Sequence, residues 1–141
     1  MGALKEKDKE KVTTIFKGIE RDVTIVMFTQ EMECQHCEMT RMMLEELSGL
    51  SDKLYLEVHD FVAEADLAKK YGIDKIPATA LIGDRDYGIR FYGVPAGYEF
   101  NVLVEDIVNV GKRNPGLTKE VMAELAKVDR PVHMQVLISP T

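Results

Sequence analysis

The chain predicts an α/β fold: a central mixed four-stranded sheet with helices on both faces, extended by an N-terminal helix and a C-terminal helix–strand segment. Three observations carry this. Short β-branched runs alternate with stretches of helical period, as in a βαβ unit. Two further strand-like runs are then separated only by Gly83-Asp84-Arg85-Asp86, a hairpin-length loop rich in turn formers. The only two cysteines, Cys34 and Cys37, sit where the first strand gives way to a helix.

Taken in order, roughly residues 4–19 place Leu4, Val12, Ile15, Phe16 and Ile19 close to one helical face, and the helix is expected to end near Gly18. Val23-Thr24-Ile25-Val26-Met27-Phe28-Thr29 is apolar enough for a buried strand. Met39, Met42, Met43, Leu47 and Leu50 mark the helix after the cysteines, read as closing at Gly49 in a left-handed conformation. Residues 54–61 read as a second strand, and Ala63 to Tyr71 as a short helix stopped by Gly72. The resulting βαβ unit implies a parallel, right-handed crossover. Residues 78–82 and 88–92 then pair antiparallel. Phe100, Leu103, Val104, Ile107 and Val108 define a long amphipathic helix broken at Asn114-Pro115-Gly116, and Thr118 caps a last helix leading to a strand at 132–138.

Composition narrows the function. At 141 residues and 45% hydrophobic content the chain fits one core, and a net charge of −6 with no basic cluster argues against nucleic acid as a partner. Neither a signal-type apolar region nor a run of about 20 apolar residues occurs, so no membrane association and a cytoplasmic location are expected. In that compartment a close cysteine pair is catalytic, redox-active or metal-binding rather than a staple. A structural zinc site wants four ligands, and beyond the pair the sequence offers only His36, His59 and His133. The reading adopted is a redox-active dithiol, with a metal-binding or purely docking module as the alternative. Helix N-termini favour negative charge, so Cys34 is the expected attacking thiolate and Cys37, one turn on, the resolving thiol. No Gly-x-Gly-x-x-Gly is present, and no cofactor is expected.

Cys34-Gln35-His36-Cys37 at a strand–helix junction, Ile76-Pro77-Ala78-Thr79 opening a strand, and the order β-α-β-α-β-β-α resemble the thioredoxin fold. More closely, Glu45-Glu46-Leu47-Ser48-Gly49-Leu50, Leu67-Ala68-Lys69-Lys70-Tyr71 and Gly93-Val94-Pro95-Ala96-Gly97-Tyr98-Glu99-Phe100 resemble the N-terminal unit of the thermophilic, glutaredoxin-like protein disulfide oxidoreductases. The resemblance implies exchange with protein disulfides, a thioredoxin-reductase-like flavoprotein as partner, and a second unit with its own cysteine pair. Residues 1–113 would then be one unit, and 114–141 the linker, helix and first strand of the next. Residues 132–137 echo 23–28, and such an unpartnered strand is expected to pack onto the first unit or to pair with another chain, giving a homo-oligomer.

The resemblance also assigns roles. Pro77 would be cis and face the cysteines, freeing the backbone of Ile76 to pair with an extended substrate, while Gln35 lies between the cysteines on the substrate side. His36 would support the Cys34 thiolate, as in the Cys-Gly-His-Cys of protein disulfide isomerases. Glu31, Glu33 and Glu38 oppose it, so a Cys34 pKa only moderately below about 8.5 is expected. Glu57 and Asp60 are candidates to take a proton from Cys37, although solvent exposure is the simpler reading of both. Met27, Met39, Met42 and Met43 read as core filler.

Overall fold

The computed structural model describes residues 2–139. An N-terminal helix α1 (Glu6–Phe16) leads into β1 (Val23–Thr29), α2 (Cys37–Ser48), β2 (Leu54–Asp60), α3 (Ala65–Lys70), β3 (Ala78–Ile82), β4 (Asp86–Tyr92), α4 (Tyr98–Lys112) and α5 (Lys119–Leu125). The sheet order is β2-β1-β3-β4, with β1 and β2 parallel and the β1–β3 and β3–β4 pairs antiparallel. This is the α/β architecture the sequence predicts.

β1 is apolar at its five buried positions, Thr24 and Thr29 being half-buried, because it is central and covered on both faces. Its Val23, Ile25 and Met27 join Leu81 beneath Val12 and Phe16 of α1, Leu44 and Leu47 of α2, and Leu103 and Ile107 of α4. Its alternate residues Val26 and Phe28 meet Ala68 of α3, Ile73, Ala78 and Ala80 on the other side. A strand's period of two thus sorts one run of residues into two cores. Gly111 shows how tightly α4 is seated, since a β-carbon there would lie 2.8 Å from Ile19 Cγ2.

Several expectations need correction. Gly49 ends α2 at φ −69°, a right-handed geometry, because its N–H reaches the carbonyls of Glu45 and Leu47 without reversing the chain. Gly72, by contrast, takes φ +67° and does stop α3. Residues 132–138 form no strand. The described sheet is complete with four strands, α5 buries no residue, and the tail lies exposed, Leu137 at 98%. A strand exists only by pairing, and within this chain the segment neither pairs nor packs onto the first unit. The Thr118 cap does form, its side chain accepting from the Val121 N–H.

Met39 and Met42 are not core filler. Each helical residue turns about 100°, and the buried stripe of α2 runs through Cys37, Thr40, Met43, Leu44 and Leu47, leaving residues 39 and 42 on the opposite face. They are 56% and 39% exposed, whereas Met27 and Met43 are buried as expected.

Candidate active site

The C-terminal end of β1 delivers the chain into a loop at 30–36, and α2 begins at Cys37. Cys34 and Cys37 form a disulfide with their Cα atoms 5.5 Å apart. The two sulfurs differ in environment. Cys37 is on the buried stripe of α2 and 3% exposed, while Cys34, in the loop, is half-buried. Because Cys34 is bonded to the first helical residue, its sulfur sits at the helix N-terminus, where unpaired N–H groups and the macrodipole support negative charge.

The surrounding side chains divide into positioned and free. His36 occupies the N-cap of α2 without making a side-chain cap, so its ring is exposed. Gln35 is exposed beside it. The His36 carbonyl accepts from both the Thr40 N–H, at 3.1 Å, and the Thr40 hydroxyl, at 2.9 Å. That double contact fixes the turn joining the cysteines, whereas in the sequence Thr40 is one more residue in a helix. Glu33, directly before Cys34, holds φ +59°, the left-handed region that costs a residue with a β-carbon about 1 kcal/mol or more. Nothing in its residue type signals this.

The approach to β3 holds the other candidate residues. The Ile76–Pro77 bond is cis, Pro77 is buried, and its carbonyl accepts from the Gly93 N–H at 2.9 Å. Among the described residues neither the N–H nor the C=O of Ile76 has a backbone partner. Two residues on, Thr79 pairs with Met27 in register and is fully buried, and its hydroxyl oxygen finds no hydrogen-bond partner among the described residues. No feature of the sequence marks this threonine as unsatisfied.

The carboxylates proposed as proton acceptors are otherwise engaged. Asp60 is half-buried rather than exposed, and its Oδ1 accepts from the N–H groups of Val62 and Ala63, at 2.9 and 2.8 Å. Glu57 is exposed and lies 3.4 Å from His59 Nε2, while His59 Nδ1 meets Glu64 at 2.9 Å. The His59 ring, packed 5.5 Å from that of Phe28, is thus bridged between two glutamates. Burial pulls its pKa down, but the bonds to Glu64 and Glu57 outweigh burial and leave it above the ordinary value. Among the described residues no group of three or more His, Cys, Asp or Glu side chains is arranged to hold a metal ion, and no helix is long and apolar enough to cross a membrane.

A parallel β-α-β followed by a β-hairpin and a helix, with a Cys-x-x-Cys disulfide at the start of the first crossover helix and a cis-proline opening the third strand, defines the class of thioredoxin-fold chains that carry a cysteine pair at that junction. Known proteins agree with this class. The chain is 26% identical over 99 residues to NADH dehydrogenase of Bacillus subtilis and 28% identical over 89 residues to the alkyl hydroperoxide reductase protein AhpF of Staphylococcus aureus, covering 70% and 62% of this chain. It spans only 17% of the length of each of these curated relatives. Among solved structures, the AhpF protein of Enterococcus faecalis superposes with a TM-score of 0.80 at 26% identity, over 88% of this chain and 60% of that one. A protein disulfide oxidoreductase of Aeropyrum pernix superposes at 0.77 with 21% identity, over 88% and 55%. No protein-family model matches.

Proposed function

We propose that this chain exchanges its Cys34–Cys37 dithiol and disulfide with those of protein substrates, acting in the cytoplasm. The observation that carries the reading is the asymmetry of the pair, one sulfur reachable and the other buried at the helix start. In the reducing direction the Cys34 thiolate attacks a substrate disulfide, forming a mixed disulfide and expelling one substrate thiolate, which takes up a proton. Cys37, as thiolate, then attacks the Cys34 sulfur. The second substrate thiolate leaves, and the chain retains the disulfide, so two electrons pass to the substrate.

The remaining site residues take supporting roles. His36, exposed at the N-cap, takes the role of supporting the Cys34 thiolate. The unpaired N–H and C=O of Ile76, held beside the buried Pro77, can pair with an extended substrate backbone, and Gln35, exposed between the cysteines, would contact the same chain. Electrons would be restored by a thioredoxin-reductase-like flavoprotein, a partner supported by relatives named as a NADH dehydrogenase and a hydroperoxide reductase. Residues 1–113 act as the redox unit in this reading, and 114–141 as the linker and helix of a second one, whose opening strand at 132–138 would form only on pairing with a partner.

Insulin reduction with dithiothreitol tests the reading. The wild-type chain is expected to accelerate precipitation of the insulin B chain, with Cys34→Ser inactive. Equal rates with and without the protein would overturn it.

A further inference from the structure

The Cys34–Cys37 pair is flanked along the chain by unpaired carboxylates. Glu31, Glu33 and Glu38 are all exposed and flank the cysteines within three residues, yet among the described residues none of them enters an ion pair. The cations nearby are already neutralised. Arg41 is bonded to Glu45 at 2.8 Å, and Lys75, on the loop before Pro77, is bonded to Asp74 at 2.9 Å and lies 4.9 Å from the centre of the Tyr92 ring. His36 is the only basic group left in the Cys34–Cys37 turn. One of these acids, Glu33, occupies the left-handed region at φ +59°, where glycine would be free of strain.

Between the carboxylates stand exposed thioethers. Met32 is 75% exposed in the loop before Cys34, and Met39 and Met42 face outward from the first turns of α2. Exposed methionines are flexible and polarisable, so they shape themselves to varied apolar surfaces. The segment on either side of Cys34 thus presents negative charge and adaptable apolar side chains to solvent.

We infer that this collar selects substrates by charge: the favoured partner is a protein segment whose disulfide is flanked by lysine or arginine and an apolar residue, and anionic disulfides, glutathione disulfide included, are disfavoured. This rests on the redox reading above. The physical basis is electrostatic. Several like charges at a site of encounter change the rate at which charged partners arrive, and the effect fades once the Debye length falls below the separation of the charges. A collar that hinders thiolate formation is tolerable if the arriving partner brings the compensating charge.

Three disulfide-bridged peptides that differ only in flanking Lys, Ser or Glu residues provide the test. Each is mixed with the reduced full-length chain, and the second-order rate of reduction is read at about 20 mM and about 500 mM salt. The Lys peptide is expected to react about 10-fold faster than the Glu peptide at low salt, with the ratio collapsing towards one at high salt. In Glu31→Gln/Glu33→Gln/Glu38→Gln the low-salt ratio should also collapse, and Glu31→Lys/Glu38→Lys should invert the order. Equal rates for all three peptides at low salt would overturn the charge selection while leaving the redox reading intact, as would a ratio that survives both high salt and the triple substitution. Failure to reduce even the Ser peptide would overturn the redox reading, and the inference with it.

Discussion

The difference between Cys34 and Cys37 follows from helix geometry. α2 buries Cys37 with Thr40 and Leu44 on one stripe, and the loop before the helix leaves Cys34 in reach of solvent. Iodoacetamide should therefore alkylate reduced Cys34 first, with half-maximal rate below pH of about 8.5, and leave Cys37 largely unreacted in the folded chain. Faster labelling of Cys37 would reverse the assigned roles. Replacing His36 with Ala should shift the Cys34 profile to higher pH, and Glu33→Gln should shift it the other way by less, because charge at the collar acts on the thiolate and not on the thiol. Thr79 offers a second test. Its buried hydroxyl has no protein partner, so Thr79→Val, of nearly equal shape, should leave stability unchanged or raise it by about 1 kcal/mol in urea unfolding. A loss of that size would mean the hydroxyl is satisfied in solution. Cys34 and Cys37 are legible in the sequence because they are its only cysteines and lie two residues apart, and the cis bond at Pro77 is legible through the resemblance of its segment to the thioredoxin fold. Thr40, Thr79 and Glu33 are not, since a hydroxyl's partner and a backbone's sign of φ depend on tertiary neighbours.

Among the elements, strands and helices follow closely from period and punctuation, and the departures have physical causes. β1, β2, β3 and α2 lie where alternation, β-branching and the cysteine junction place them. Gly49 departs from expectation because a glycine after a helix permits the left-handed region without requiring it. The exposed side of α2 is obscured in the sequence because methionine, an apolar residue, falls on both faces. The β2–α3 corner is hidden altogether: His59, Glu57, Glu64 and Asp60 come together only once the strand turns into the helix. Its pH behaviour is predictable. Glu64 is held below the ordinary carboxylate value, chiefly by its bond to His59, and His59 is held above its own. The carboxylate's contribution is present above its unfolded value of 4.5 and lost as pH falls through its lower folded value. The imidazolium's contribution is complete below its unfolded value of 6.5 and lost as pH rises through its higher folded value. The stability difference between wild type and His59→Gln should thus be greatest between these limits and shrink on either side. A difference independent of pH would show that the ring acts by packing on Phe28 alone. On α4, Gly111→Ala forces a methyl group against Ile19 and should cost about 1–3 kcal/mol, read from the urea midpoint.

For the whole molecule, a four-stranded sheet carries the cysteine site, and beyond it the chain continues through α5 into an exposed, largely apolar segment at 132–138. The extension matches expectation as a capped helix and departs from it beyond, because strand propensity in Val132-His133-Met134-Gln135-Val136-Leu137 is not a strand until something pairs with it. Val121, Met122 and Leu125 of α5 are exposed, as are Val136, Leu137 and Ile138 beyond it. Surface of this kind promotes association. The full chain is expected to elute larger than one ending near Asp129 on a sizing column, with the two equally active on insulin; two monomers would leave the tail without a role in assembly. The central claim concerns the site itself, and it is tested most directly by intact-mass analysis of Cys37→Ser mixed with insulin in the absence of reductant. Attack by Cys34 opens one insulin disulfide and, without resolution, should leave one whole insulin molecule covalently attached per protein molecule, its two chains still joined by the remaining interchain disulfide; the adduct is released by dithiothreitol and absent from Cys34→Ser. An adduct formed by Cys34→Ser through Cys37, or none in either variant, would contradict the account.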